Sequence, residues 1–139
     1  VTRLIREETT GNKASIVAKH GAVRENLLQR QRDFAVLPGL IADGRDMGTV
    51  IFPEAPVKLF LTASAMVRAK RRHKQLLDSG ICANIEEILF EVEARDERDR
   101  TRSSSPLIPA DDALIIDTSE LGVEAVFKKA WDAIALKFS

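Results

Sequence analysis

The segment from Gly39 to Pro53, GLIADGRDMGTVIFP, constrains the fold of this chain more than any other. Its short apolar run stops abruptly at two acids, a glycine and an arginine, and this pattern predicts a buried strand of a parallel sheet at 39–42. In open α/β sheets, ligands bind just beyond the carboxyl ends of the strands. The segment therefore predicts that Asp43, Arg45 and Asp46 lie where such a fold binds its ligand.

Arg45 has the chemistry of a phosphate-binding residue at that position. Its planar guanidinium can donate to two oxygens at once, which suits phosphate. Gly44 and Gly48 flank it and let the backbone turn sharply and approach a ligand closely. The alternative interpretation is a turn that carries an exposed salt bridge.

The bulk composition bounds the class of protein. The 139 residues predict a single domain over 1–139, and the 21 acidic and 21 basic residues balance, so no overall charge favours nucleic acid or a membrane surface. No run is long and apolar enough to span a bilayer. The lone Cys82 excludes an internal disulfide, fits a reducing compartment such as the cytoplasm, and predicts an apolar filler. His20 and His73 have no metal-ligand spacing, so no protein metal cage is expected.

Apolar periodicity and turn residues predict alternating helices and strands. Residues 1–36 form a helical region, with a helix from about Ile5 to Ala35 that breaks near Gly21. Apolar runs at 57–61 and 113–116 predict two more strands. Strands separated by helices indicate an α/β fold with a parallel sheet.

Capping residues set the expected ends of the remaining helices. Thr62 or Ser64 caps a helix that runs to about Asp78 and is closed by Gly80. Asn84 opens the next helix, with Glu87 completing a capping box. Gly122 precedes the last helix, whose apolar stripe is predicted to pack in the core; its members are Val123, Val126, Phe127, Ala130, Trp131 and Ile134.

The helix that begins after Asn84 changes character along one face. Ile85, Ile88, Leu89 and Val92 are followed, in steps of three and four residues, by Arg95, Asp99 and Arg102. An inward charge is costly unless it is paired or bound to a ligand. Two interpretations remain open: Arg95 and Asp99 simply pair, or the arginines bind phosphate beside a carboxylate that accepts from a sugar or base. Arg98 and Arg100 fall off this face and are expected to be solvated.

These motifs together resemble the bacterial cytidylate kinases, which are nucleoside-monophosphate kinases of the P-loop class. The resemblance covers nearly the whole chain. It is carried by SIVAKHGAVRENLLQRQRDF from Ser15, ADGRDMGTVIFP from Ala42, KLFLTAS from Lys58, RAKRR from Arg68, EARDERDR from Glu93 and PLIPADDALIIDT from Pro106. The resemblance implies transfer of the γ-phosphoryl of ATP to CMP or dCMP, with Mg²⁺ bridging the ATP phosphates, in a cytoplasmic monomer that binds neither nucleic acid nor membranes.

One departure from the family pattern is large. The family opens with a P-loop, G-x-x-x-x-G-K-[ST], and these 139 residues contain no such motif. The expectation is therefore a parallel sheet flanked by helices that lacks the family's first, central strand and its P-loop, and that corresponds to the C-terminal two-thirds of the enzyme. Three functional outcomes stay open: an active kinase for CMP as the parent protein, a non-catalytic piece that retains the monophosphate-site residues, and a kinase of the same fold for another base.

The resemblance also implies roles for individual residues. The cytosine edge would be read by Ser15, Arg24 and Asp46. Asp43 would have an orienting role in the site or would associate with magnesium. The catalytic arginines Arg45, Arg95 and Arg102 would contact the phosphoryl groups, and Asp99 would accept from the sugar hydroxyls.

A second basic cluster lies in a lid-like segment at 66–83. In the family pattern, Arg68, Arg71 and Arg72 would close over ATP. The alternative is that these arginines form a solvated helix face.

Overall fold

A computed structural model of the chain describes residues 8–101, 103 and 105–138. These residues form two compact units: one comprises the residues up to Pro53 with Arg95–Ile108, and the other comprises Glu54–Ala94 with the residues from Pro109 onward. The assignment of 1–139 to one domain stays a prediction. The elements are α1 (Glu8–Val17), α2 (Gly21–Arg32), a π-helical turn (Met47–Ile51), β1 (Leu59–Thr62), α3 (Ala65–Asp78), α4 (Ile85–Thr101), β2 (Leu114–Asp117) and α5 (Val123–Phe138).

Two helices and a π-helical turn build most of the first unit. Helices α1 and α2 lie within the predicted helical region, and the interruption between them falls at residues 18–20, immediately before Gly21 opens α2. The π-helical turn lies three residues after Gly44, and Ile51 at its end is buried. The last part of α4, from Arg95, completes this unit.

The strand predicted at 39–42 is not formed. Residues 39–43 have no regular structure, and Ile41 is 95% exposed. A strand needs a neighbour for its backbone hydrogen bonds, and within the described residues the two paired strands pair only with each other. Gly39 has φ +149°, a conformation that favours glycine. The π-helical turn, rather than the end of a strand, therefore follows Arg45 and Asp46.

A small parallel sheet organises the second unit. β1 and β2 pair in parallel, with Leu59 opposite Leu114 and Thr62 opposite Asp117. Both strands lie within two residues of their predicted positions. The α/β class is thus confirmed in its coarse form, as helices combined with a small parallel sheet.

The predicted caps position the helices of the second unit. The Ser64 hydroxyl accepts a hydrogen bond from the Val67 amide at 3.3 Å, and Gly80 follows α3 with φ +75°. The Asn84 side chain accepts from the Glu86 amide at 2.8 Å, so Asn84 caps α4 through Glu86. The buried apolar residues of this unit are Ala69, Ile88 and Ile116.

The apolar stripe of α5 is not packed in a core as predicted, because Val126, Ala130 and Ile134 are only half-buried and the other three members are exposed. Val123 is 84% exposed, and Phe127 and Trp131 are exposed while their rings stack at 6.4 Å between centroids. Adjacent strands lie only about 5 Å apart, so a two-stranded sheet is too narrow to cover such a helix face. Among the described residues, no helix combines the length and apolar character needed to cross a membrane.

Candidate functional site

A cavity of about 190 Å³ in the first unit gathers most of the predicted site residues. Ligand sites commonly measure about 300–1,000 Å³, so this cavity is smaller than a typical small-molecule site. Its lining consists of Ala14, Ser15, Ala18, Arg24, Arg45, Asp46, Arg95 and Asp99. Residues from α1, α2, the segment before the π-helical turn and α4 thus converge on one concave site.

Asp99 is the most deeply buried side chain of the site, with 2% of its surface exposed. Its Oδ1 accepts from the Ser15 hydroxyl at 2.9 Å, and its Oδ2 accepts from Nε of Arg45. These contacts offset the cost of burying a carboxylate. They also show that the α4 face points inward at Asp99, as its periodicity predicts.

Arg45 is anchored at one end and exposed at the other. Nε forms the ion pair with Asp99, and the side chain is 40% exposed. Within the described residues, the two terminal nitrogens of this guanidinium make no hydrogen bond or ion pair. Because those nitrogens carry the donors that match two phosphate oxygens, Arg45 is oriented by Asp99 while it keeps its outer edge for an anion.

Asp46 and Arg24 form the second ion pair of the site. Asp46 is buried, and its Oδ2 accepts from Nη2 of Arg24, while Nε of Arg24 donates to the Ser105 hydroxyl at 3.2 Å. Ser105 has φ +52°, an uncommon conformation for a residue other than glycine. The loop after α4 and the segment before the π-helical turn therefore fix the Arg24 side chain from two sides.

The charges that line the cavity leave a positive excess. Arg24, Arg45 and Arg95 face Asp46 and Asp99, so three cations and two anions give one net positive charge. Gly11 makes room for Arg95, because a Cβ at that position would lie 3.1 Å from Nη1 of Arg95. An anionic ligand with additional hydrogen-bonding groups matches this arrangement.

Arg98 differs from its prediction. It is half-buried, its Nη2 donates to Oδ1 of Asn12 at 3.0 Å, and its buried Nε has no acceptor within the described residues. Helix α1 is the reason, since Asn12 lies one turn before Ser15 and reaches the edge of α4 beside Asp99. Arg100 is exposed and pairs with Glu97, as expected for a solvated residue.

Among the predicted substrate-binding residues that the structure describes, Asp43 is not brought to the cavity. Asp43 is exposed in the irregular segment and does not line it. Arg102 lies outside the described residues. In the parts of the chain that are described, no three His, Cys, Asp or Glu side chains cluster as metal ligands.

The three lid arginines belong to α3 in the second unit, and each donates to a group of that unit. Arg68 donates to the Ala63 carbonyl at 3.0 Å, and Arg72 donates to the Gln75 side chain at 2.8 Å. Arg71 donates to the hydroxyl and the carbonyl of Thr118, at 3.0 and 2.6 Å. Ala63 and Thr118 directly follow the two strands, so Arg68 and Arg71 lie at the carboxyl edge of the sheet.

Sequence reasoning missed Arg32, Asn12 and Ser105. Arg32 ends α2, and its guanidinium donates to the carbonyls of Ile51 and Val50, at 3.0 and 3.1 Å. The only available signal was a basic residue in the last turn of a helix, which is common on any protein surface.

Comparison with known proteins identifies the family. The family model described as cytidylate kinase matches residues 1–136. The chain belongs to the cytidylate kinase family. The predicted resemblance is therefore confirmed, and the site residues can be considered in that chemical context.

Curated relatives agree with this assignment. A cytidylate kinase from Cupriavidus necator is 60% identical over 124 residues, which cover 89% of this chain and 56% of the relative. One from Shewanella frigidimarina is 54% identical over 139 residues, covering 100% of this chain and 61% of the relative. One from Sodalis glossinidius is 55% identical over 130 residues, or 94% and 57% of the two chains. The chain thus spans somewhat more than half the length of these cytidylate kinases.

Proposed function

We propose that the protein containing this chain transfers the γ-phosphoryl of ATP to CMP or dCMP, giving CDP or dCDP and ADP. One observation carries the proposal: two ion pairs, Arg45 with Asp99 and Arg24 with Asp46, lie around one cavity in a chain of the cytidylate kinase family. The first pair has the chemistry to bind the phosphate and the sugar, and the second has the chemistry to read a base.

The base-reading group consists of Asp46, Arg24 and Ser15. The Asp46 carboxylate would accept from the exocyclic amine of cytosine, and Arg24 would supply donors for the ring acceptors. The Ser15 hydroxyl, which donates to Asp99 in this structure, would turn to donate to the base. UMP presents a carbonyl oxygen where CMP presents the amine, so two acceptors would face each other. Burial of Asp46 and its pairing with Arg24 support this role, because a fixed and desolvated carboxylate discriminates strongly between a donor and an acceptor.

The phosphate-binding group consists of Arg45, Arg95 and Arg102, with Asp99 for the sugar hydroxyls. The outer edge of Arg45 matches two phosphate oxygens, and Arg95 lines the same cavity. Arg102 joins them through the family resemblance alone. A ligand phosphate bound by Arg45 would bring its sugar close to Asp99, whose oxygens can accept from hydroxyls.

Phosphoryl transfer needs positioning and charge stabilisation more than covalent help from the protein. Arginines at the monophosphate site stabilise the transferred group, and no residue has to act as a general base. Mg²⁺ supplies charge neutralisation when it arrives on the ATP phosphates. The residues around this cavity do not fit a magnesium cage, because the carboxylates of Asp46 and Asp99 already accept hydrogen bonds from arginines.

The lid arginines and Asp43 would act on the ATP side of the site. Arg68, Arg71 and Arg72 would close over ATP, in which case Arg71 would exchange its contacts with Thr118 for phosphate oxygens. Asp43 would orient the ATP side of the site. The protein would work in the cytoplasm as a monomer. Its balanced charge fits free nucleotides as substrates better than nucleic acid or a membrane surface as a partner.

A coupled assay of ADP release tests this function. The protein containing this chain is assayed with ATP and each of CMP, dCMP, UMP and AMP at equal concentrations. The proposal predicts the highest kcat/KM for CMP or dCMP. A preference for UMP or AMP would contradict the base-reading assignment, and the absence of turnover with all four would contradict the kinase activity.

A further inference from the structure

Arg32 holds the carboxyl end of the π-helical turn. Its Nε and Nη2 donate to the carbonyls of Ile51 and Val50. The last carbonyls of a helical turn have no donors within the helix, and a cation is favourable there. A guanidinium suits this task, because its fork can bond two neighbouring carbonyl oxygens at once.

The same two residues hold the backbone of Asp46. The amides of Val50 and Ile51 both donate to the Asp46 carbonyl, at 2.9 and 3.2 Å. Arg32 therefore fixes the carbonyl side of residues whose amide side fixes Asp46. Because both amides bond the Asp46 carbonyl, a displacement of Val50 or Ile51 would also shift the backbone of Asp46 and therefore its side chain.

Arg24 closes this set of contacts into a ring. Its guanidinium pairs with the Asp46 carboxylate, and Arg24 lies on the same helix as Arg32, about 12 Å earlier along its axis. Helix α2 thus holds Asp46 twice: Arg24 fixes the side chain, and Arg32 fixes the backbone through the turn. Helices are more rigid supports than loops, and two attachments define an orientation that one cannot.

We infer that Arg32 is a positioning residue that sets the orientation of Asp46, and through it the preference for one pyrimidine base over the other. This inference rests on the proposed function, in which Asp46 reads the base. Arg32 does not line the cavity, so it acts through the turn and not through the ligand. Small misplacements of a reading group are costly, since a shift of about 1 Å can change a rate by about a hundredfold.

The test compares Arg32→Ala, Arg32→Lys and the control Arg30→Ala in the protein containing this chain. Arg30 lies on the same helix, is exposed and makes no ion pair within the described residues. Two quantities are measured for each variant: the ratio of kcat/KM for CMP to kcat/KM for UMP, and the hydrogen–deuterium exchange of the amides at 47–52. The exchange measurement does not require turnover.

Arg32→Ala is expected to speed exchange at 47–52 and to lower the CMP-to-UMP ratio by about tenfold, a fraction of the loss that a 1 Å displacement can cause. Arg32→Lys keeps the charge but not the fork, so it is expected to restore the ratio only in part. Arg30→Ala should change neither quantity.

Two results would overturn the inference. Unchanged exchange in Arg32→Ala would show that Arg32 does not hold the turn. Faster exchange with an unchanged ratio would show that Arg32 stabilises the fold without positioning Asp46. Failure of the proposed function would appear separately, as a wild-type protein that does not prefer CMP while its Arg32 variants still alter the exchange at 47–52.

Discussion

Arg45 donates through Nε to the buried carboxylate of Asp99, while its two terminal nitrogens make no hydrogen bond or ion pair with another described residue. A buried anion therefore orients an arginine that remains available to an outer anion. Under the proposed function, this relationship would let α4 support phosphate binding without exposing Asp99 itself, which is only 2% accessible. The ion pair also joins Arg45, predicted from the turn after residue 42, to Asp99, predicted from the periodicity of α4.

Replacing Arg45 with alanine should remove most of the affinity or turnover for CMP. A hydrogen bond to a charged group contributes about 1.5–3 kcal/mol, which corresponds to a loss of roughly ten- to a hundredfold. Steady-state kinetics with CMP measure the loss. Arg100→Ala is the matched control, because Arg100 is exposed and its ion pair among the described residues is with Glu97 at the surface. Equal losses in the two variants would refute the assignment of Arg45 to the phosphate.

Asp99→Asn should destabilise the protein as well as weaken sugar binding. The amide can still accept from Ser15, but it no longer forms the ion pair with Arg45, and one of its donors enters a buried site. The expected loss is about 1–3 kcal/mol of unfolding free energy, measured by urea denaturation. Glu97→Gln on the exposed side of α4 should cost far less. Identical midpoints for the two variants would contradict a structural role for the buried pair.

The contact between Lys58 and Asp112 predicts a pH-dependent contribution to stability. Nζ of Lys58 lies 2.8 Å from the Asp112 carboxylate, and this hydrogen bond lowers the pKa of Asp112 below its ordinary value. The pKa of Asp112 is lower in the folded protein than in the unfolded chain, so the ion pair stabilises the folded state fully above the unfolded pKa, which is about 4. This stabilisation is lost as the pH falls through the folded pKa of Asp112. The effect is small, since Asp112 is exposed.

Thermal unfolding of wild type and Asp112→Asn between about pH 7 and about pH 2.5 tests this sign. The wild type should be the more stable at neutral pH, and the two curves should converge in acid. Asp111→Asn is the control, because Asp111 makes no ion pair within the described residues. A difference that grows as the pH falls would contradict the assignment.

Local signals predicted the parts of the fold that depend on neighbouring residues in the chain. Ser64 caps α3 and Gly80 closes it, since a cap needs only the next few amides or carbonyls. Helical periodicity predicted that Asp99 points inward, because the period of a helix is independent of what packs against it.

The failures involve partners that are distant in sequence. The apolar run at 39–42 has strand character, but a strand forms only where another segment supplies hydrogen bonds. Arg98 was expected to be solvated because the sequence does not show that Asn12 of α1, 86 positions away, packs beside α4. The partner of Asp99 is Arg45, 54 positions away, and no local spacing predicts such a pair. Arg32 binds backbone carbonyls, and because every residue has such a carbonyl, no sequence pattern predicts which ones it binds.

The kcat/KM values for CMP and UMP in Asp46→Asn test the central claim most directly. The substitution replaces a buried acceptor with a group that can donate, and a buried polar group without a partner costs about 1–3 kcal/mol. We predict that the CMP-to-UMP ratio narrows by about tenfold relative to wild type. If Asp46 only braces Arg24, both substrates will fall equally, and an unchanged ratio would contradict the proposal that this cavity reads cytosine.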